Sequence, residues 1–266
     1  MPYVNIDGKN LYYREYGKGM PIVFLNGMMM STTSWIPFAD TVSEKYRMIT
    51  VDLLDQGKSD DWEEEYTVDT QADFLMKFLN KLNLDKVNLF GMSYGGKVAL
   101  TFAVKYQSKI KSLILSNTDS FTSNIMKEIG RAWKYAASTQ DGEIFTSIVF
   151  PYMYSHDFYE KNYEFIEKMK KSISKTLDVR WKDRFIRLLN SIVDYDVSRN
   201  IKDIKVPTLI ISSEFDMVAF VKQQELIHNQ IKDSLWVTIK GVGHAALYEK
   251  PREYISIIME FLKNNE

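Results

Sequence analysis

Residues Val87–Gly96 read V-N-L-F-G-M-S-Y-G-G, and this stretch decides the fold. The apolar run Lys86–Met92 predicts a buried strand, and the small-residue run Gly95–Tyr106 predicts a helix. Between them lies a G-x-S-x-G pattern, a strand-to-helix turn so tight that it needs glycine two residues before and after the serine. Such a turn exposes Ser93 at the carboxyl edge of a sheet, beside a helix N-terminus that favours developing negative charge. Ser93 is therefore the candidate nucleophile.

Short apolar runs alternate with longer amphipathic stretches on both sides of this turn, which is the pattern of βαβ units and a parallel sheet. An Asp7-Gly8 turn joins the first two runs and predicts an antiparallel hairpin. The predicted strands are 3–6, 11–16, 21–26, 47–53, 86–92, 110–116, 207–212 and 235–239, and the predicted helices are 35–46, 67–82, 95–106, 220–231 and 252–263. The fold class is α/β, with a mostly parallel eight-stranded sheet and helices on both faces.

The alternation stops between residues 120 and 204, where helical stretches rich in aromatic residues replace the strands. We therefore expect two parts. Residues 1–119 and 205–266 form the core, and residues 120–204 form a helical lid (cap) insertion over one end of the sheet.

Composition excludes several classes of protein. The 266 residues include 34 basic and 35 acidic side chains, which argues against a nucleic-acid partner. The absence of cysteine excludes disulfides, thiolate metal sites and cysteine nucleophiles. No apolar run is long enough for a membrane span, and no signal peptide is visible, so a cytoplasmic location is expected. Without a G-x-G-x-x-G or P-loop motif, and with only three scattered histidines, no cofactor and no metal are expected.

A serine nucleophile needs a base and an acid. His244 follows the last predicted strand in the glycine-bracketed loop Gly241–His244, whereas His156 lies in the insertion and His228 within a predicted helix. His244 is the candidate base because open α/β sheets react at the carboxyl ends of their strands. The candidate acids, which all lie near strand ends, are Asp216, Glu214 and Asp119, and the chain order Ser93, Asp216, His244 favours Asp216.

These motifs together resemble the α/β-hydrolase superfamily, in its single-lid esterase, lactonase and C–C hydrolase branch. The resemblance covers residues 3–118 and 205–263. It is carried by F-L-N-G-M at 24–28, V-D-L-L-D-Q-G-K-S at 51–59, G-M-S-Y-G-G at 91–96, S-S-E-F-D at 212–216 and G-V-G-H-A-A-L-Y-E-K-P-R-E-Y at 241–254. It implies an oxyanion hole made by the backbone N–H groups of Met28 and Tyr94. A serine rather than an aspartate nucleophile argues against the dehalogenase and epoxide-hydrolase branches.

Two positions depart from the family pattern. Asn26 stands where the family usually has histidine before Gly27, and we expect its amide to bridge loops and preserve the oxyanion hole. In the usual D-x-R-G-x-G-x-S pattern, Leu54 and Asp55 replace the arginine and the first glycine. An uncharged loop beside the site indicates either a different substrate or local repacking.

The expected function is a carboxylesterase-like serine hydrolase that cleaves esters of small to medium apolar acyl groups through a Ser-Asp-His triad and an acyl-enzyme. The run Met28–Met30 suits an adaptable apolar pocket, although ordinary packing explains it equally well.

Residues 165–187 carry eight basic and three acidic residues, which suggests an alternative function. The enzyme would then be a thioesterase or ester hydrolase acting on acyl groups held by an acidic carrier protein. A further alternative is a non-catalytic receptor that uses a hydrolase pocket to bind ligands.

Overall fold

The eight predicted strands form one sheet in the computed structural model, which describes residues 2–266. The strands are β1 (Tyr3–Ile6), β2 (Lys9–Tyr16), β3 (Pro21–Leu25), β4 (Arg47–Val51), β5 (Val87–Met92), β6 (Ile110–Ser116), β7 (Thr208–Ser213) and β8 (Leu235–Ile239). Their order in the sheet is β1-β2-β4-β3-β5-β6-β7-β8. The β1–β2 and β2–β4 pairs are antiparallel, and every other pair is parallel. The predicted fold class is confirmed.

Helices cover both faces of the sheet. The α-helices are α1 (Ala39–Ser43), α2 (Val68–Lys81), α3 (Tyr94–Tyr106), α4 (Asn124–Ser138), α5 (Gly142–Met153), α6 (His156–Lys161), α7 (Tyr163–Ser174), α8 (Val179–Ser191), α9 (Val221–Gln230), α10 (Ala246–Glu249) and α11 (Pro251–Lys263). The single helix predicted at 35–46 is wrong, because a 3₁₀ helix over Thr32–Phe38 precedes α1. Pro37 explains the difference, since it lacks the N–H and crowds the carbonyl that a continuous α-helix requires.

The central strand β5 shows how the sheet separates two apolar cores. All six of its residues are buried. Val87 and Leu89 pack on one face with α2 and α3, whereas Phe90 and Met92 pack on the other with Trp35 and α11. A strand buried on both faces reads as a nearly continuous apolar run, which is why β5 is recognisable in the sequence.

Five helices, α4 to α8, lie between β6 and β7 and are called the α4–α8 segment below. They have their own apolar cluster, which includes Trp133, Phe145 and Phe185. An isolated antiparallel bridge between Phe121 and Asp196 joins the two ends of the segment. Within residues 2–266, no helix combines the length and apolar character that crossing a bilayer demands.

Candidate active site

Ser93 lies at the turn between β5 and α3 in an unusual backbone conformation, with φ 52° and ψ −115°. Close packing of this turn explains the two flanking glycines. A Cβ on Gly91 would lie 2.4 Å from the carbonyl oxygen of Gly95, and a Cβ on Gly95 would lie 2.6 Å from that of Leu25. The turn therefore tolerates no side chain at either position. Positive φ in a residue other than glycine is a strain that is typically found at functional sites.

The structure brings Ser93, His244 and Asp216 into one hydrogen-bonded chain. His244 Nε2 lies 3.0 Å from Ser93 Oγ, and His244 Nδ1 lies 2.9 Å from Asp216 Oδ2. Because Nδ1–H donates a hydrogen bond to Asp216, Nε2 is left to accept the hydroxyl hydrogen of Ser93. Both His244 and Asp216 are almost fully buried. This arrangement can activate a serine hydroxyl as a nucleophile.

The other candidate bases and acids lie elsewhere. Glu214 accepts a hydrogen bond from the backbone of Gly241 at 2.8 Å, so it stabilises the turn before His244 without contacting the imidazole. His156 is exposed beside Asp157. The third histidine, His228, lies with its Nδ1 2.8 Å from Ser234 Oγ and so contacts a different part of the fold.

The two amides expected to form the oxyanion hole lie beside Ser93 around the same cavity. Tyr94 is the first residue of α3, so its N–H has no partner within that helix. The Met28 N–H donates no backbone hydrogen bond to another described residue. Both amides are therefore available to an oxygen anion at Ser93.

Asn26 links the loop before Met28 to the end of β4 and to Trp35, so its amide bridges loops as expected from the sequence. Its Nδ2 donates to Val51 O at 2.9 Å and to Asp52 Oδ1 at 3.0 Å, while its Oδ1 accepts from Trp35 Nε1 at 2.7 Å. Burial raises the pKa of Asp52, although hydrogen bonds from Lys58 N, Thr32 N and Asn26 oppose that rise. These bonds anchor the loop before Met28 to the end of β4.

A cavity of about 160 Å³ opens at Ser93 between the sheet and the α4–α8 segment. Its wall is mostly apolar. Seven methionines and five aromatic residues line it: Met28, Met29, Met30, Met92, Met126, Met153, Met169, Tyr94, Trp133, Phe150, Tyr154 and Tyr248. Methionine side chains are flexible and polarisable, so this wall can adapt to different apolar groups.

One buried ion pair interrupts the apolar wall, and no local sequence pattern predicts it. Lys97 on α3 contacts Asp119, which follows β6, and both side chains are at most 5% exposed. Burial lowers the pKa of Lys97 and raises the pKa of Asp119, while the attraction between the two opposes both shifts. Asp119 thus pairs with Lys97, whereas Asp216 is the carboxylate that contacts His244.

Three arginines of α8 reach back to the loop at residues 52–61. Arg187 donates two hydrogen bonds to Asp55, and Arg180 and Arg184 both pair with Asp61. The expectation of an uncharged loop is therefore wrong, because the guanidinium comes from α8 rather than from position 54. Arginine is suited to pairing with these aspartates because its planar guanidinium can donate two hydrogen bonds to one carboxylate. These arginines belong to the basic stretch 165–187, whose exposed members include Lys168, Lys171 and Lys175.

Comparison with known proteins places this site in context. Residues 20–251 match the family model described as alpha/beta hydrolase fold. The chain is similar to MGS-M2, an alpha/beta hydrolase enzyme from a Medee basin deep-sea metagenome library, with TM-score 0.96, 34% identity, and coverage of 98% of this chain and 97% of that one. A thermophilic esterase from Thermogutta terrifontis gives TM-score 0.86 at 25% identity and covers 99% and 97%. A proline iminopeptidase from Saccharolobus solfataricus is 29% identical over 98% of this chain and 91% of its own.

Proposed function

The chain belongs to the alpha/beta hydrolase fold family, and from that premise we propose that it is a serine hydrolase of carboxylic esters with small to medium apolar acyl groups. One observation carries the proposal. The hydrogen-bonded chain from Asp216 through His244 to Ser93 ends at a methionine-lined cavity.

The proposed mechanism assigns one task to each group. Ser93 Oγ attacks the ester carbonyl while His244 Nε2 takes the hydroxyl proton, and Asp216 stabilises the resulting imidazolium. The N–H groups of Met28 and Tyr94 donate to the oxyanion, where one such donor is typically worth about 3 kcal/mol of transition-state stabilisation. His244 returns the proton to the leaving alcohol, and water then hydrolyses the acyl-enzyme with His244 as base.

Cavity size supports the proposed substrate class. An apolar cavity of roughly 150 Å³ holds one benzene ring, and the space at Ser93 is about 160 Å³. We therefore expect acyl groups of up to about six carbons to be preferred, with some tolerance because the methionines can repack.

The α4–α8 segment is proposed to act as the lid of this pocket, as part of residues 120–204 inserted between the core halves 1–119 and 205–266. Met126, Trp133, Phe150, Met153 and Met169 all come from this segment and form one side of the cavity. Such a cover would exclude water from the acyl group and select its size.

A second candidate function is removal of an N-terminal residue from peptides, because several relatives are named proline iminopeptidase at 26–30% identity. That reaction requires recognition of a positively charged amino group, which a carboxylate facing the pocket would supply. Asp119 is the one carboxylate among the residues that line the described cavity, and it is paired with Lys97. The lining therefore favours an ester with an apolar acyl group.

The experiment measures hydrolysis of p-nitrophenyl esters with acyl chains from about two to twelve carbons, beside proline p-nitroanilide. We expect rates to peak at short to medium chains and the anilide to be a poor substrate. Ser93→Ala and His244→Gln should abolish turnover, while the exposed His156→Gln serves as the control. Full ester turnover by Ser93→Ala would overturn the mechanism, and rapid anilide cleavage would instead favour the peptidase.

Two alternatives from the sequence make different predictions, which assays of carrier-bound acyl groups and of ligand-induced stabilisation would test. Activity on carrier-bound acyl groups would need the exposed Lys168, Lys171 and Lys175, and would weaken with salt. A receptor would be stabilised by ligand without forming product.

A further inference from the structure

A line of buried hydrogen bonds leads from α11 to Asp216. Tyr254 Oη on α11 donates to Ser116 Oγ at 2.8 Å, and Ser116 Oγ donates to Asn117 Oδ1 at 2.8 Å. Asn117 Nδ2 then donates to Asp216 Oδ2 at 2.8 Å and to Ser213 Oγ at 2.7 Å. Tyr254, Ser116, Asn117 and Ser213 are all inaccessible to solvent. The ester mechanism given above uses none of them.

Tyr254 determines which atom donates in each hydrogen bond of this line. Burial raises the pKa of Tyr254 well above its usual range, so the phenol keeps its proton and acts as a donor. Ser116 Oγ accepts a hydrogen bond from this phenol and donates its own single hydrogen to Asn117 Oδ1. The Asn117 amide is thereby held with Nδ2, and not Oδ1, toward the carboxylate of Asp216.

The backbone at Asn117 supports a specialised role. Its φ is +47°, in the left-handed region where asparagine is tolerated better than most residues. This conformation directs the side chain across from the end of β6 to the end of β7. Other hydrogen bonds to Asp216 come from the backbone N–H groups of Val218 and Ala219, which both reach Oδ1 at 2.8 and 2.9 Å. Oδ2 depends on Asn117 and His244.

We propose that Tyr254, Ser116 and Asn117 form a positioning network that orients Asp216 toward His244. The proposal rests on the proposed function, since it assumes that His244 activates Ser93. None of the three residues lines the cavity, so the network acts through Asp216 and not on the substrate. Other charged groups near the triad are the Lys97–Asp119 pair and Glu249, which accepts from the backbone of Gly243.

The chain offers a matched control on the same strand. Ser112 is also fully buried on β6, and its Oγ donates to the Oδ1 of Asn88 at 2.7 Å. Ser112→Ala and Ser116→Ala each remove one buried serine-to-asparagine hydrogen bond of nearly equal length, and Ser116→Ala also leaves the Tyr254 hydroxyl without its acceptor. Only the bond of Ser116 leads to Asp216.

The test measures kcat and KM across pH for Ser116→Ala, Tyr254→Phe, Asn117→Asp and Ser112→Ala on the preferred p-nitrophenyl ester. In Ser116→Ala and Tyr254→Phe the Asn117 amide is no longer held with Nδ2 toward Asp216, so its hydrogen bond to that carboxylate weakens. We therefore expect kcat to fall about tenfold while KM is unchanged. In Asn117→Asp a second carboxylate beside Asp216 favours the imidazolium, so the acid limb of the pH–rate profile should move to higher pH. Ser112→Ala should resemble the wild type in both respects, although it also loses stability through its broken buried hydrogen bond.

Ser116→Ala and Tyr254→Phe variants that match Ser112→Ala in kcat and in pH profile would overturn the network. Failure of the proposed function is a different result, namely that Ser93→Ala keeps its activity and a fluorophosphonate does not label Ser93. NMR titration of the His244 ring proton then tests the network without turnover. A changed midpoint in Asn117→Asp but not in Ser112→Ala supports the network, and equal midpoints refute it.

Discussion

The guanidinium of Arg187 on α8 donates two hydrogen bonds, 3.0 and 2.6 Å long, to the carboxylate of Asp55. Asp55 lies 132 residues earlier, in the loop after β4, and its side chain has no exposed surface. The pair joins the α4–α8 segment to the loop that packs against Asn26 and Gly27 through Gln56. The α4–α8 segment and the loop before Met28 are therefore linked to each other.

Removing Arg187 should destabilise the protein strongly. Arg187→Leu leaves the buried carboxylate of Asp55 without a cation, and breaking a buried pair in this way typically costs about 3–5 kcal/mol. Urea unfolding should show this loss, whereas Arg131→Leu, which breaks the exposed pair with Glu128, should cost less than about 1 kcal/mol. Hydrogen exchange should also become faster in α8. Equal stability of the two variants would mean that the pair contributes no more than a surface contact.

Low pH should weaken the attachment of α8 to the loop at residues 52–61, because it protonates Asp61. Burial alone would raise the pKa of Asp61, but hydrogen bonds and charge from Arg180 and Arg184 outweigh it and lower that pKa below its usual value. A carboxyl with a depressed pKa in the folded state stabilises the protein above its unfolded pKa of about 3.9 and loses that contribution as the pH falls through the folded value.

The measurement is the free energy of unfolding of wild type and Asp61→Asn between about pH 7 and pH 3. We expect the wild type to be more stable at neutral pH and the difference to shrink as Asp61 becomes protonated. The difference should also be smaller in an Arg184→Gln background. A difference that stays constant with pH would contradict the assigned role of the arginines.

The buried pair in the cavity wall leads to a third prediction. Lys97→Met leaves Asp119 without a partner and should cost about 3–5 kcal/mol, but Lys97→Met with Asp119→Leu should recover most of that loss, because no buried charge remains. The exposed pair Lys127–Asp194 provides the control, and Lys127→Met should cost less than about 1 kcal/mol. Thermal unfolding of all three variants tests this. A double variant as unstable as Lys97→Met would show that the pair itself is favourable.

The strands, most helices and the positions of Ser93, His244 and Asp216 were predictable because each depends on a short local pattern. The nucleophile turn needs glycine within two residues, and buried strands are nearly continuous apolar runs. The helix expected at 35–46 failed because Pro37 acts against the apolar periodicity.

The charged contacts were not predictable, since they join residues that are far apart in the chain. Counting basic residues at 165–187 gave an excess charge, yet Asp55 and Asp61, which bind three of those residues, lie more than a hundred positions away. Asn117 carries no motif, and its role depends on the register that places the end of β6 beside the end of β7. Local sequence patterns do not specify such contacts.

Gly130 provides the last prediction, because it lies in the interior of α4 and lines the cavity. A Cβ at this position would meet Leu189 Cδ2 at an ordinary contact distance of 3.6 Å. Gly130→Ala should therefore raise the free energy of unfolding by about 0.5–1 kcal/mol, because alanine restricts the unfolded chain and favours helix.

Gly130→Leu should fill part of the cavity, so that kcat/KM falls more for medium-chain than for acetyl esters. Gly142→Ala is the control in the same segment, since its Cβ would lie 2.4 Å from Ser174 Cα and should lower stability without changing chain-length preference. If Gly130→Leu leaves the ratio of medium-chain to acetyl rates unchanged, the acyl group does not occupy this cavity.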